Sequence, residues 1–204
     1  MTLTLHHCQG SRSFRVVWAL EEMGLSYELV KWPFPPRAMA KEYLGVNPLG
    51  TVPFLIDGDL RMTESAGICQ YLADRYGPTP LAVKPDEAAY GEYLNWLHQS
   101  DATLTFPLAI RLRYTFVEPP ERRLAQAVED SGMGDVGRLR AAEAALADGR
   151  VFLCSGRVSM ADIAIGYALQ LGDFQKLSPQ FPPAVAAYYD RLRKRPAYEK
   201  ALTL

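Results

Sequence analysis

The first quarter of the chain alternates between strand-like and helix-like patterns of hydrophobic and polar residues. Residues 2–6 and 26–30 alternate apolar with polar side chains, as half-buried strands do, while residues 12–24 place apolar side chains at helical spacing. Gly24 follows the last helical position, where glycine commonly ends a helix. A strand, a helix and a strand in this order predict a right-handed crossover that joins two parallel strands.

Residues 37–76 extend the pattern with a short helix, a hairpin and a second helix. The apolar run 52–56 enters a turn that contains Gly58, a return strand follows at 60–62, and helical spacing begins at Thr63. The predicted order βαβαββα is that of a thioredoxin-like α/β domain.

Beyond this segment the pattern is helical. Proline-rich residues 78–85 predict a linker, and residues 86–204 carry helical periodicity that is interrupted at Pro107 and Pro196. The sequence therefore predicts a thioredoxin-like domain over residues 1–77, the linker, and an all-helical bundle domain over residues 86–204.

One helix start in the second domain has a recognisable sequence. Ser159 and Asp162 have the Ser-x-x-Asp spacing of a capping box, in which each side chain accepts a hydrogen bond from the backbone N–H of the other residue. Both residues are therefore predicted to have a structural role.

Two features of residues 52–65 could create a binding surface. Proline has no N–H to donate to a strand ladder, so Pro53 is expected at the start of its strand. A cis peptide bond before Pro53 would leave the N–H and C=O of Val52 facing outward. The helix that starts near Glu64 and Ser65 would attract a carboxylate with its unpaired N–H groups and positive dipole end. The residues alone favour the structural interpretation, which is an ordinary loop followed by a capped helix start.

Composition and charge narrow the classes of function. The 204 residues carry a net charge of -1, which gives no electrostatic reason to expect nucleic acid or an anionic membrane as a partner. No apolar run in the sequence approaches the roughly 18 residues of a membrane-spanning helix. The three cysteines are widely separated, with neither CxxC spacing nor a histidine at ligand spacing, so we expect a cytoplasmic location and no metal.

Three motifs follow one another along the chain. They are NPLGTVPFL at residues 47–55, TES at residues 63–65 and SMADI at residues 159–163. With a thioredoxin-like front and a helical back, this ordered set resembles the cytosolic glutathione S-transferases, and in particular serine-type, bacterial-like members. The resemblance implies a homodimeric detoxification enzyme that activates the glutathione thiol as a thiolate for attack on a hydrophobic electrophile.

The resemblance also implies how glutathione would bind. Pro53 would follow a cis peptide bond, and the backbone of Val52 would pair with the cysteinyl part of glutathione as an added strand does. The hydroxyl and N–H of Ser65 would bind the γ-glutamyl carboxylate, and Glu64 would face the ammonium group.

Three further charged residues are candidates for glutathione contacts on the basis of the resemblance. Arg37 and Lys41 lie near the expected position of the glycyl carboxylate, although Met39 occupies a position where a polar side chain is expected. Asp101 resembles an acidic residue that some members contribute across the dimer interface to the glutathione of the partner. A solvated helix charge is the alternative interpretation of Asp101.

The reaction requires a thiolate, because a free thiol has a pKa of about 8.5 and the thiolate is the nucleophile. A hydroxyl at the N-terminus of the first helix can stabilise it by a hydrogen bond. Ser11 resembles the serine of serine-type transferases, Ser13 is the second candidate, and helix capping is the structural alternative for Ser11. Cys8 keeps a cysteine-type mechanism open, while His6 and His7 occupy the region where tyrosine-type members carry their tyrosine.

The pocket for the electrophile is expected between the two domains. Aromatic and aliphatic side chains would line it, namely Phe14, Phe34, Phe106, Leu108 and Tyr114. Side chains at this spacing are also typical of a core, and the sequence leaves the second substrate open. Two other functions also stay open, a glutathione-dependent oxidoreductase of disulfides or peroxides and a non-catalytic binding module.

Overall fold

The computed structural model describes residues 2–204, apart from the side chains of residues 133–135. The chain divides into two compact units, one made of Met1–Ala82 with Arg193–Leu204 and the other of Val83–Leu192. Among the described residues, none of the helices combines the length and apolar character needed to span a membrane.

A mixed four-stranded sheet in the order β2-β1-β3-β4 forms the centre of the first unit. Its strands are β1 (Leu3–His7), β2 (Tyr27–Lys31), β3 (Phe54–Asp57) and β4 (Leu60–Met62). The pairing of β1 with β2 is parallel, which confirms the predicted strand pair, whereas the β1–β3 and β3–β4 pairs are antiparallel. Strand β3 starts two residues later than predicted, because residue 53 is a proline and cannot donate to the ladder.

Helices complete the first unit. They are α1 (Phe14–Met23), α2 (Pro36–Met39), α3 (Ser65–Arg75) and α10 (Pro196–Thr203), with a 3₁₀ turn at Lys41–Gly45. Helix α1 ends at Gly24, whose φ of 63° is left-handed, as its position in the sequence predicts. The order of strands and helices confirms the thioredoxin-like βαβαββα arrangement.

The C-terminal helix α10 packs within the first unit. The ring of Tyr198 is buried and meets Phe14 and Trp18 edge to face, with centroid distances of 5.1 and 4.9 Å. The sequence prediction instead assigns residues 193–204 to the helical domain. Helical periodicity shows that a face is apolar but does not show which unit covers it, so the difference lies in tertiary packing.

The second unit is built from helices. They are α4 (Tyr90–Gln99), α5 (Phe106–Leu112), α6 (Ala125–Arg138), α7 (Arg140–Leu146), α8 (Met160–Phe174) and α9 (Pro183–Arg193). Two π-helical segments, Ser100–Thr105 and Arg113–Val117, flank α5. The first π-helical segment lies just before Pro107, where the sequence predicts an interruption of the helix. Proline lacks the N–H that the regular helical hydrogen-bond ladder needs.

Helix α8 is buried along most of its length and starts with the predicted capping box, which is confirmed. The N–H and the Oγ of Ser159 both donate to Oδ2 of Asp162, each at 2.8 Å. Oδ1 of Asp162 accepts from the N–H of Leu153 at 3.0 Å and from the hydroxyl of Tyr188 at 2.8 Å. One buried carboxylate therefore connects the start of α8 with the preceding loop and with α9.

Candidate functional site

The loop before β3 is held in shape by its own polar groups. The carbonyl of Thr51 accepts from Nδ2 of Asn47 and from the hydroxyl of Tyr43, each at 2.8 Å. Gly50 has a φ of 61°, and a Cβ at this position would lie 2.6 Å from Cβ of Arg37. The loop therefore requires glycine at residue 50 both for its backbone conformation and for the close approach of the neighbouring helix.

This loop carries Val52 to the edge of the paired part of the sheet. The peptide bond between Val52 and Pro53 is cis, as the resemblance implies. The pairing of β1 with β3 begins with His6 opposite Phe54, so Val52 lies before the first paired residue of β3. A backbone segment in this position is suited to pairing with an extended ligand.

Helix α3 begins at Ser65, and no described side chain caps this start. Glu64 occupies the N-cap position in an extended conformation. The first N–H groups of a helix have no partner within the helix, and the positive end of the dipole lies there. The start of α3 therefore has the character of an anion site, in contrast to the capped start that the residues alone favour.

Arg15 is the residue of this site that sequence reasoning missed. Its side chain is 0% exposed, and Nη1 donates to Oγ of Ser65 at 2.8 Å. A buried guanidinium needs hydrogen-bonded or charged partners, and here it places a positive charge behind the hydroxyl predicted to bind a carboxylate. The sequence did contain a signal, because Arg15 is the charged residue within the otherwise apolar segment 14–20.

Three buried polar side chains form a hydrogen-bonded row before α1. Nδ1 of His7 lies 2.7 Å from Oγ of Ser13, and Oγ of Ser13 lies 2.7 Å from Oγ of Ser11. The hydroxyl of Ser11 also donates to the carbonyl of Cys8 at 2.8 Å. The structure thus brings the two serine candidates into direct contact with each other, and neither side chain caps α1.

His7 is 1% exposed, and its environment disfavours the charged form of the ring. Burial, with a further contribution from Lys31, lowers the pKa of His7 from 6.5 to about 4. The imidazole is therefore neutral at neutral pH, with one nitrogen that donates and one that accepts.

We expect His7 to make the stability of the fold depend on pH. Since the unfolded chain binds the histidine proton near pH 6.5 and the folded chain only near pH 4, the free energy of unfolding should fall as pH decreases between these values. Urea titrations across this range should show a shallower decrease for His7→Asn, which has no imidazole to titrate. Equal slopes in the two proteins would contradict a neutral, buried His7.

The cysteine candidate lies in an apolar environment. Cys8 is buried, and its Sγ lies 3.5 Å from the carbonyl of Pro33. Burial raises the pKa of this thiol to about 11, so the thiolate is scarce at neutral pH. The surroundings of Cys8 therefore disfavour a cysteine-type mechanism.

The other charged residues that are candidates for glutathione contacts are exposed or partly exposed. Arg37 on α2 and Lys41 in the following 3₁₀ turn are exposed cations, and Met39 between them is 66% exposed. Asp101 lies half-buried in the first π-helical segment of the second unit. Among the described residues, no group of three or more histidine, cysteine, aspartate or glutamate side chains could hold a metal ion.

The predicted pocket residues have different surroundings. Phe34 and Phe106 are 49% and 59% exposed, as residues that contact a ligand can be. Phe14 belongs to the aromatic core with Trp18, and Leu108 is 4% exposed beside a small cavity of about 20 Å³ in the second unit. The structure thus places Phe14 and Leu108 in cores, a distinction that hydrophobic periodicity alone cannot make.

Tyr114 lines an open pocket of about 530 Å³ in the second unit. Arg111, Thr115 and Arg123 also line it, and Nη1 of Arg111 donates to the carbonyl of Val128 at 2.6 Å. The Nε of Arg111 and the Oγ1 of Thr115 are buried without a hydrogen-bond partner among the described residues. The surroundings of Tyr114 are therefore more polar than the predicted hydrophobic pocket.

Comparison with known proteins gives matches to two consecutive domain families. The chain matches the glutathione S-transferase N-terminal domain over residues 5–80 and the C-terminal domain over residues 138–191. Glutathione S-transferase 4 of Zea mays is 31% identical over 193 residues, which cover 91% of this chain and 85% of that protein. This chain belongs to the glutathione S-transferase family. The narrower assignment to serine-type, bacterial-like members stays a prediction.

Other known proteins match over part or all of the chain. Glutathione S-transferase 3 of Schizosaccharomyces pombe is 35% identical over 102 residues, which cover 50% of this chain and 42% of that protein. The yeast protein Ure2p in complex with glutathione has a TM-score of 0.85 and 25% identity over 98% of both chains. Ure2p has also been solved with S-p-nitrobenzylglutathione and S-hexylglutathione. These structures confirm the predicted succession of a thioredoxin-like domain and a helical domain.

Proposed function

We propose that this protein is a cytoplasmic, homodimeric glutathione transferase that joins the sulfur of glutathione to a hydrophobic electrophile. The observation that carries the proposal is the start of α3. There the buried hydroxyl of Ser65 is bonded to the guanidinium of Arg15, at a helix N-terminus that no described side chain caps. A γ-glutamyl carboxylate is the group of glutathione that matches this positive, donor-rich position.

With the γ-glutamyl carboxylate at the start of α3, the other parts of glutathione would have the following contacts. The backbone of Val52 pairs with the cysteinyl part, and the carboxylate of Glu64 faces the γ-glutamyl ammonium group. Arg37 and Lys41, both exposed, are the cations available to the glycyl carboxylate. In the proposed dimer, Asp101 contributes to the glutathione site of the partner subunit.

The thiol is activated by the hydroxyl of Ser11. This hydroxyl donates to the carbonyl of Cys8, and with glutathione bound it would donate to the sulfur. The hydrogen bond and the positive end of α1 favour the thiolate, so the thiol proton leaves to solvent. The thiolate then forms a carbon–sulfur bond with the electrophile, and the leaving group departs with the electron pair of the bond that breaks.

Replacing Ser65 with alanine should weaken glutathione binding by about 10- to 100-fold, the usual effect of losing one hydrogen bond to a charged group. Ser65→Thr, which keeps a hydroxyl, is the matched control and should retain most of the affinity. Isothermal titration calorimetry with glutathione measures both, after circular dichroism has shown that the variants are folded. Wild-type affinity in a folded Ser65→Ala protein would argue against this position for the carboxylate.

A second candidate function is a glutathione-binding module that does not conjugate, and the likeness to Ure2p keeps it open. The structure of the Ure2p fragment is described as that of the nitrogen regulation fragment of a yeast prion protein. Both functions require glutathione binding, so conjugation is the distinguishing measurement. Assays of conjugation to 1-chloro-2,4-dinitrobenzene and of glutathione-dependent disulfide reduction, made on the same preparation, separate the transferase, the oxidoreductase and the binding module.

A further inference from the structure

The imidazole of His7 is buried close to the proposed activating hydroxyl of Ser11, and the proposed chemistry does not use it. Its Nδ1 lies 2.7 Å from Oγ of Ser13, while Nε2 is buried without a hydrogen-bond partner among the described residues. Ser13 in turn lies 2.7 Å from Ser11. The contact with Ser13 is therefore the polar interaction through which His7 can act on the site.

The hydrogen-bonding capacity of Ser13 determines which group donates to which along the row of His7, Ser13 and Ser11. A hydroxyl has one proton to donate and two lone pairs to accept with. Oγ of Ser13 already accepts from the N–H of Cys8 at 3.2 Å. If Nδ1 of His7 carries its proton, both lone pairs of Ser13 are occupied, and its O–H is left to donate. Its two acceptors are Oγ of Ser11 at 2.7 Å and the carbonyl of Cys8 at 3.3 Å, and the shorter distance favours Ser11.

The unpartnered Nε2 favours this tautomer. The ring is neutral, because burial lowers its pKa to about 4, so one of the two nitrogens has no proton. A buried N–H without an acceptor is rarer in proteins than an acceptor with an unused lone pair. The proton therefore belongs on Nδ1, where Ser13 accepts it, and Nε2 keeps the unused lone pair.

We infer that His7 is a positioning residue, which acts through Ser13 to direct the hydroxyl of Ser11 toward the sulfur of bound glutathione. The aligned row runs from His7 through Ser13 and Ser11 to the thiolate. Each donor in such a row polarises the next, so the final hydrogen bond is stronger than that of an isolated serine. Without His7, a lone pair of Ser13 becomes available, and Ser11 can donate to Ser13 instead of to the sulfur. The inference rests on the proposed function.

The test compares His7→Leu, which removes the donor, with His7→Asn, whose side-chain N–H can replace Nδ1–H. The thiolate of bound glutathione is titrated by ultraviolet absorbance, and the dissociation constant is measured by calorimetry. We expect His7→Leu to raise the pKa of the bound thiol by about one unit, which is a tenfold smaller thiolate fraction. Affinity should stay within about twofold, and His7→Asn should restore most of the shift.

Ser13→Ala provides a second test of the inference that leaves His7 unchanged. It should raise the pKa of the bound thiol about as much as His7→Leu, and the double variant should show no further rise, because both changes interrupt the same row. Additive shifts, or a wild-type titration in folded His7→Leu, would overturn the inference. If Ser11→Ala still raises the pKa of the thiol in that case, the proposed function stands. Failure of the wild-type protein to bind glutathione would instead overturn the proposed function itself.

Discussion

Replacing Asp162 with alanine should lower the free energy of unfolding by about 4 kcal/mol, a large effect for a single substitution. The carboxylate is 0% exposed and accepts four hydrogen bonds, two at each oxygen. Burial alone raises the pKa of Asp162, and the four donors favour its charged form against that cost. Alanine leaves the buried N–H and O–H groups of Leu153, Ser159 and Tyr188 without their acceptor, each at a cost of about 1–3 kcal/mol.

Urea unfolding followed by circular dichroism measures this effect. Asp162→Asn is the informative intermediate, since its amide keeps one acceptor but turns an NH₂ group toward two donors, and we expect it to recover only part of the loss. Asp148→Ala is the control, because that carboxylate is solvent-exposed and bonded to the neighbouring Arg150. A midpoint for Asp162→Ala equal to that of Asp148→Ala would show that the capping box contributes little to the stability of the second unit.

Replacing Ser11 with alanine should lower kcat/KM for conjugation by about 100-fold, while the affinity for glutathione changes little. The hydroxyl is expected to bond to the sulfur chiefly in its charged form, so its loss removes thiolate stabilisation and leaves the binding of the tripeptide ends intact. Steady-state conjugation and the ultraviolet titration of bound thiol should change together, with a higher pKa in Ser11→Ala.

Cys8→Ser is the control for this experiment. A buried thiol with a raised pKa is no part of the proposed chemistry, so this variant should keep conjugation within about twofold of wild type. Loss of activity in Cys8→Ser together with full activity in Ser11→Ala would contradict the serine mechanism and favour the cysteine-type alternative. An unchanged thiol titration in Ser11→Ala would remove Ser11 from the mechanism whatever the result at Cys8.

Local features of the sequence predicted much of the fold. The alternation in residues 2–6 and the helical spacing after Arg12 correspond to β1 and α1, and the Ser159–Asp162 spacing corresponds to an observed capping box. Each of these features depends on neighbours within about one helical turn, so a single sequence contains the information. The order of elements could then be predicted, because short connections place successive elements side by side.

The same reasoning could not distinguish core residues from ligand-contacting residues. Phe14 and Phe34 are both aromatic and close in sequence, yet Phe14 packs against Tyr198, almost two hundred residues away, while Phe34 is about half exposed. Likewise, the serine candidates Ser11 and Ser13 could be named from the sequence, but their contact with each other and with His7 could not.

By itself, the sequence determined the order of strands and helices, the capping box and the motifs that identify the family, because periodicity, turn residues and motif spacing are local properties of the chain. Only the tertiary structure decided that Arg15 lies buried behind Ser65, that α10 packs against α1, and that His7 reaches the hydroxyls before α1. Burial and hydrogen-bond partnership depend on which distant segments meet, and a pattern read along one segment does not contain that information.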